Sequence, residues 1–290
     1  MFVTLVAAAV TALVAVVRYR QLRAAELAPV PADEKIRVPL WLEPARVRYP
    51  PRFRFVWDGP EPLAGLRATE RLDAVVAGAT DDEDRARRVM RWTRAQFEPG
   101  RPSPSPPPDA ARTLAEIRAG RTGGFCAQYS FVYVQAMQSL GVPARCVTIR
   151  EHEVTEVWLR DQQRWTMVDA NLKLQVLDGD GRSLSAVEIQ RALRAGDELE
   201  ALAGNELDEP AEAYVARFAG FAVWLHNAFT SRPLNFTDFD RYRVWHAPAE
   251  ALTALPVEAM RTGYPDELYL PPVWPSPRPR APAPAPSSRP

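Results

Sequence analysis

The stretch GFCAQYSFVYVQAMQSLGVPARCV, Gly124 to Val147, decides the fold of this chain. Its apolar residues recur at helical spacing between Ala127 and Leu140. The residues on that helical face are Phe131, Val134, Met137 and Leu140. Gly141 ends the predicted helix, and the pattern after Pro143 predicts a strand. We therefore expect a helix that begins at or beside Cys126 and leads directly into a sheet.

Cys126 is the candidate nucleophile of the chain. At a helix N-terminus, the unpaired backbone N–H groups and the positive end of the helix dipole favour a thiolate over a thiol. Gly123 and Gly124 are expected to let the backbone turn sharply and to leave the sulfur approachable. The backbone N–H of Cys126 is an expected donor to an oxyanion.

Two further strands, His152–Arg160 and Arg164–Val168, are predicted to form a hairpin with 161–163 at its tip. If residues 160 and 161 form a two-residue loop, His152 pairs directly with Asp169. If residues 161 and 162 form it, Asp169 is the diagonal neighbour of His152 on the same face. Either register brings the Asp169 carboxylate toward the imidazole.

The order of these residues along the chain fits a thiol triad. His152 could take the thiol proton and later protonate a leaving group, and Asp169 could fix the tautomer of the imidazole and stabilise its cation. The other histidines, His226 and His246, have no comparable partner pattern. We therefore predict that Cys126, His152 and Asp169 are the catalytic residues.

The stretch from Gly124 to Val147 resembles the cysteine helix of the transglutaminase-like superfamily, and HEVTEVWLRDQQRWTMVDAN, 152–171, resembles its histidine-aspartate hairpin. The matching hairpin residues are His152, Glu156, Val157, Trp158, Trp165, Val168 and Asp169. The chain departs from the pattern at Glu153-Val154, often Ala-Trp, and at Asn171, often threonine.

This resemblance implies an α+β fold with a papain-like Cys-His-Asp site. It implies a helical N-terminal lobe, a cysteine helix packed on an antiparallel sheet, and C-terminal helices. A second oxyanion donor must come from outside the cysteine helix, and the upstream candidates are Trp92 and Gln96. Gln128 and Tyr129 are further residues expected to reach the pocket.

Composition along the chain, together with the core that the resemblance implies, predicts five segments. They are a hydrophobic anchor or signal-like segment (1–25), an extended proline-rich arm (26–65), a transglutaminase-like core (66–180), a helical extension (181–270) and a disordered proline-rich tail (271–290). The helices predicted around the cysteine helix are Leu66–Ala79, Asp81–Phe97, Ala110–Ala119, Ser183–Leu193 and Glu209–Phe229. Arg145 and Cys146 are predicted to be buried structural residues.

The run from Phe2 to Val17 is apolar and is followed at once by Arg18, Arg20 and Arg23. We predict an uncleaved single membrane anchor. A mis-assigned start and a helix packed on the domain are the alternatives. The positive-inside tendency would hold these arginines in the cytoplasm and place the domain there too, and an extracytoplasmic domain would contradict that simple count. The side of the membrane is left open.

Charge and residue counts limit the function classes. Basic and acidic residues both total 36 of 290, so no overall basic field would attract nucleic acid. With two cysteines and three histidines, neither a metal nor a cofactor is predicted. A bridge between Cys126 and Cys146 is an alternative that would abolish the thiol site.

The sequence therefore predicts a thiol enzyme that forms a thioester with a protein or peptide substrate carrying a reactive amide. The acyl group would pass to water or to an amine, and the sequence favours neither. A catalytically silent binding or assembly module tethered to a membrane is the alternative function. No oligomeric state is predicted.

Overall fold

The computed structural model describes residues 55–103, 105–202, 207, 209–233, 243–246, 261–262, 268–269, 271–272 and 274. The predicted anchor at 1–25 lies outside these residues, as do most of the predicted arm at 26–65 and nearly all of the predicted tail. Among the helices of the described part, none has the length and apolar character required to cross a bilayer.

A helical lobe forms the first half of the described chain. After a short strand, β1 (Val56–Trp57), its helices are α1 (Ala64–Thr69), α2 (Leu72–Val75), α3 (Asp82–Arg94), α4 (Ala110–Arg118) and α5 (Cys126–Ser139). Asp81 and Asp109 begin α3 and α4, because each side chain accepts a hydrogen bond from a backbone N–H in the first turn. The central helix α5 packs against α1, α3 and α4 and against the sheet.

The second half of the chain builds a sheet and the helices on its other side. Its elements are β2 (Ala144–Ile149), β3 (His152–Leu159), β4 (Arg164–Val168), β5 (Gln175–Leu177), α6 (Ala186–Ala195), β6 (Glu200–Leu202), α7 (Ala211–Ala216), β7 (Phe221–Trp224), β8 (His226–Asn227), β9 (Arg243–His246) and β10 (Arg261–Thr262). Six of the described strands form one sheet in the order β10-β9-β7-β2-β3-β4. Its pairs are antiparallel except for β9 with β10.

Apolar side chains fill both faces of this sheet. Cys146 and Val157 face the helical lobe, whereas Val147, one position after Cys146, and Val154, three positions before Val157, face α6 and α7. This alternation follows the two-residue period of a strand. The predicted α+β class is confirmed, and so is the antiparallel sheet on which the cysteine helix packs.

A buried ion pair joins the sheet to the end of the described chain. Arg145 on β2 donates through Nε to Oε2 of Glu156 on β3 at 2.9 Å, and both side chains are fully buried. The other carboxylate oxygen, Oε1, accepts from the backbone N–H of Ala186 and from the hydroxyl of Tyr269, each at 2.8 Å. The guanidinium lies over the ring of Trp165 at 4.0 Å from its centroid. Arg145 is thus structural.

The prediction of one continuous helix over Leu66–Ala79 is wrong. This stretch is divided into α1 and α2, because Arg71 adopts a left-handed conformation with φ of 52°. Leu66 and Leu72 both reach the core, one from each helix. Apolar spacing records which residues are buried and does not reveal such a break.

The predicted helix Glu209–Phe229 is also wrong over most of its length. Helix α7 ends at Ala216, a 3-10 turn follows, and Gly220 is extended with φ of −138°. Strand β7 then enters the sheet beside β2. Phe221 and Trp224 lie in opposite cores, so a strand buried on both faces was mistaken for an apolar helical face. The segment 181–270, predicted to be helical, therefore contains sheet strands as well as α6 and α7.

Three residues of the predicted disordered tail, 271, 272 and 274, are described. The ring of Trp274 lies 5.6 Å from that of Trp57, in a cluster that also contains Trp158 and Trp165. This position of the tail is therefore packed on the domain.

Candidate active site

Cys126 is the first residue of α5, and the loop before it is held firmly. Phe125 is extended and caps the helix, with its N–H donating to Oε1 of Gln128 at 3.1 Å. A Cβ on Gly124 would lie 2.7 Å from the ring of Phe97, and one on Gly123 would lie 2.7 Å from a backbone carbonyl. These glycines therefore allow close packing of the loop, and neither has a positive φ. The sharp turn expected from them is not found.

His152 is the first residue of β3 and follows a tight turn. Ile149 pairs with His152, and Glu151 in the turn between them has φ of 54°. The turn is tied to Arg217 by two hydrogen bonds. The N–H of Arg150 donates to the Arg217 carbonyl at 3.3 Å, and Nη1 of Arg217 donates to the Arg150 carbonyl at 3.2 Å. Arg217 thus holds the turn that leads into His152.

Asp169 follows β4 and is fully buried. Its N–H and carbonyl both bond to Leu174, at 2.9 and 3.0 Å. Its Oδ1 atom accepts from the backbone N–H of Asn171 at 2.9 Å and of Leu172 at 3.1 Å. One carboxylate oxygen is therefore used to hold the side chain in place.

The hairpin brings His152 and Asp169 into contact. Thr155 faces Val168 and Leu159 faces Arg164, which is the second of the two predicted registers. Asp169 is thus a diagonal neighbour of His152, and the Nε2 atom of His152 lies 2.7 Å from the Oδ2 atom of Asp169. Nδ1 is the ring nitrogen that Asp169 leaves unused, and the Cys126 side chain interacts with the imidazole.

The groups around His152 favour the protonated, cationic form of its imidazole. Burial would lower the pKa of His152, but the negative charge and hydrogen bond of Asp169, together with the interaction with Cys126, raise it to about 10. The imidazole is therefore protonated at neutral pH.

A fourth residue, Tyr214, joins this arrangement from α7. Its hydroxyl donates to Oδ2 of Asp169 at 2.8 Å, and its ring lies 6.3 Å from that of His152, edge to face. From sequence alone, Tyr214 falls within the predicted helix Glu209–Phe229 and carries no assigned role. The available signal was its hydroxyl, because a buried tyrosine generally needs a hydrogen-bond partner.

Cys126 and His152 open onto a cavity of about 680 Å³. The described residues that line it are Arg94, Glu98, Pro99, Phe125, Cys126, Glu151, His152, Asn171, Leu172, Glu209, Tyr214 and Arg217. Phe125 is 46% exposed and is the one large apolar side chain of the described part that is exposed. The cavity thus combines one apolar surface beside the cysteine with several charged groups.

The residues proposed as a second oxyanion donor do not line this cavity. Trp92 packs on the helical core, and the Gln96 side chain is bonded to the Trp92 carbonyl at 2.8 Å and to Arg118 at 2.6 Å. Gln128 caps the cysteine helix, and Tyr129 donates its hydroxyl to the Phe97 carbonyl. All four residues therefore pack around the site, and none of them lines the cavity.

The two cysteines are separate free thiols, which argues against the alternative of a bridge between them. Cys146 is fully buried on β2, and its N–H donates to Oδ1 of Asn227 at 2.8 Å. Within the described residues, no cluster of three or more histidine, cysteine or acidic side chains is arranged to hold a metal ion.

Comparison with known proteins places part of the chain in a family. Residues 69–170 match the family model described as the transglutaminase-like superfamily. The match contains Cys126, His152 and Asp169 and ends well before Tyr214. No curated protein matches the chain. The chain therefore carries a transglutaminase-like domain, and the resemblance of its two motifs to that superfamily is confirmed.

Proposed function

We propose that the transglutaminase-like domain of this chain is a thiol acyl-transfer enzyme, with Cys126 as nucleophile, His152 as acid and base, and Asp169 as the residue that orients the histidine. One observation carries the proposal. The imidazole of His152 is hydrogen-bonded to buried Asp169 through Nε2 at 2.7 Å and interacts with Cys126, and both His152 and Cys126 line one open cavity.

The first half-reaction uses a thiolate and an imidazolium that are already paired. The sulfur of Cys126 attacks the carbonyl carbon of an amide, so a C–S bond forms while the C=O electron pair moves to oxygen. When this intermediate collapses, the C–N bond breaks and His152 gives its Nδ1 proton to the departing amine. The products are a thioester on Cys126 and a neutral imidazole.

The negative oxygen of the intermediate is assigned to the N-terminus of α5. The backbone N–H of Cys126 lies in the first turn of this 14-residue helix, where N–H groups have no partner within the helix. Donors placed where charge develops are among the strongest contributions to such reactions. The close packing of Gly123 and Gly124 keeps this turn in position.

The second half-reaction frees the enzyme. Water or an amine attacks the thioester carbon, and neutral His152 accepts the proton of the attacking group. The C–S bond then breaks, and the thiolate and the imidazolium are restored. The proposed substrate is a protein or peptide, and the same residues serve hydrolysis and transfer alike.

The reaction is tested with a library of glutamine-containing peptides, with and without a primary amine, analysed by mass spectrometry. We expect an acyl adduct on Cys126 and a product whose mass shows that the glutamine amide has lost ammonia and gained water or the amine. Cys126→Ala should give neither, whereas Cys146→Ala, the matched control, should give both. If Cys126→Ala retained the full yield of product, the proposed nucleophile would be wrong.

A binding or assembly module remains the competing function, and the same peptide library distinguishes it from an enzyme. If wild-type protein binds peptides of the library without covalent change, and Cys126→Ala binds them equally well, the domain acts as a module. A covalent adduct at Cys126 supports the enzyme.

A further inference from the structure

We infer that Tyr214 is a positioning residue for His152 and Asp169, so that the site is completed by a segment outside the matched family domain. This inference rests on the proposed function. The segment is Glu209–Arg217, which we call the closing segment. It contributes Glu209, Tyr214 and Arg217 to the wall of the cavity.

The first contact of the closing segment gives the Asp169 carboxylate its fourth hydrogen bond, so that each of its oxygens accepts two. Oδ1 accepts two backbone N–H groups, at 2.9 and 3.1 Å. Oδ2 accepts His152 at 2.7 Å and the Tyr214 hydroxyl at 2.8 Å. Because Tyr214 and Asp169 are both fully buried, the tyrosine hydroxyl takes the place that water would otherwise fill on Oδ2.

The two donors on Oδ2 share one negative charge. A hydroxyl that donates to a carboxylate stabilises that charge and leaves less of it to hold the neighbouring imidazolium. Oδ1 stays anchored to the backbone whether or not the hydroxyl is present. Removal of the hydroxyl should therefore leave the carboxylate in place and strengthen its hold on the His152 proton. Tyr214 thus makes the proton easier to transfer.

The second contact of the closing segment acts on the turn that precedes His152. Arg217 exchanges two hydrogen bonds with the backbone of Arg150, and its guanidinium is fixed by Glu209 at 3.0 and 3.1 Å. Two residues of the closing segment, three positions apart, therefore hold His152. Tyr214 acts through Asp169, and Arg217 acts through the turn that precedes His152.

The titration of His152 depends on every charged group near it. Cys126 faces it from α5, Asp169 from the end of β4 and Tyr214 from α7. The other titratable residues of the cavity are Arg94, Glu98, Glu151, Glu209 and Arg217. A change of Tyr214 to phenylalanine removes one hydroxyl and leaves all these charges as they are.

The test is the NMR titration of the His152 imidazole in the full chain, with Tyr214→Phe compared with wild type. We expect the titration midpoint to move to higher pH by roughly half a unit to one unit. Tyr133→Phe is the matched control, because its buried hydroxyl lies near the Ala86 carbonyl, at 3.4 Å, and away from the cavity. Phe218→Leu changes the ring packed on Tyr214 and keeps the hydroxyl, so it should not move the midpoint.

An unchanged or lower midpoint in folded Tyr214→Phe would overturn the inference, as would an equal rise in Tyr133→Phe. Far-UV circular dichroism of each variant establishes that it is folded. This result is separate from the proposed function. If the midpoint rises but Cys126 shows no acyl adduct, the positioning role stands and the enzyme fails. If the adduct forms and the midpoint stays unchanged, only the role of Tyr214 fails.

Discussion

His152 and Asp169 occupy the two strands of one hairpin, but they do not face each other across it. Asp169 lies one diagonal step along the ladder, where its Oδ2 atom meets Nε2 of His152 at 2.7 Å. The diagonal position leaves Nδ1 for Cys126, because the imidazole reaches along the strand toward the carboxylate. The strand register is thus a determinant of the proposed chemistry.

The first prediction concerns the pH dependence of stability. The pKa of His152 in the folded protein is about 10, above the ordinary 6.5. A group whose pKa rises on folding stabilises the fold fully below its unfolded pKa, and this contribution is lost as the pH rises through the folded pKa. We expect the free energy of unfolding, measured with urea, to fall between pH 6.5 and pH 10. Asp169→Asn should remove most of this decline, and an equal decline in that variant would contradict the assignment.

The second prediction concerns the buried pair Arg145 and Glu156. Arg145→Met leaves the Glu156 charge buried without its cation, which should lower the free energy of unfolding by about 3–5 kcal/mol. Urea denaturation measures the loss. Arg182→Met is the control, because its pair with Asp178 is half exposed and should contribute less than about 1 kcal/mol. Similar losses in the two variants would show that burial of the pair is unimportant.

The third prediction concerns the loop before the nucleophile. Gly124→Ala places a Cβ 2.7 Å from the Phe97 ring and 2.8 Å from Ile117, so the loop must shift. We expect a loss of about 1–3 kcal/mol in the free energy of unfolding and slower alkylation of Cys126. At Gly179, a Cβ would meet no described heavy atom within 4 Å. If Gly179→Ala were as harmful as Gly124→Ala, close packing would not be the cause.

The fourth prediction concerns Phe125, which lies beside Cys126 and is 46% exposed. Because nearly half of its side chain is exposed, Phe125→Ala should lower the free energy of unfolding by clearly less than the about 3–5 kcal/mol typical of a core phenylalanine. Its apolar surface in the cavity should favour reagents with an apolar group. We expect the rate ratio of N-benzyl iodoacetamide to iodoacetamide at Cys126 to fall several-fold in Phe125→Ala. An unchanged ratio would remove Phe125 from substrate binding.

Much of this site could be predicted from about fifty residues. The cysteine helix is defined by apolar spacing between Cys126 and Gly141, and the hairpin by alternation on both sides of 161–163. Both are local patterns, so their physical causes lie within the segment that shows them. The position of Asp169 beside His152 followed from the same hairpin.

The contributions from distant segments could not be predicted in this way. Tyr214 reaches Asp169 across 45 positions of sequence, and its partner is not evident from its own neighbours. Strand β7 is buried on both faces, so its apolar run has no alternation that distinguishes it from a buried helix. Trp92 and Gln96, chosen as oxyanion candidates, are not among the residues that line the cavity, because helix spacing does not determine which side chains border a cavity formed by other elements.

The central claim is that His152 activates Cys126, and the rate of iodoacetamide alkylation at Cys126 across pH tests it most directly. We expect wild-type Cys126 to react near pH 6 at least tenfold faster than a free thiol, whose ordinary pKa is about 8.5. His152→Ala should lose this advantage, and His226→Ala, the matched control, should keep it. A wild-type rate no higher than that of a free thiol, or a rate unaffected by His152→Ala, would contradict the account.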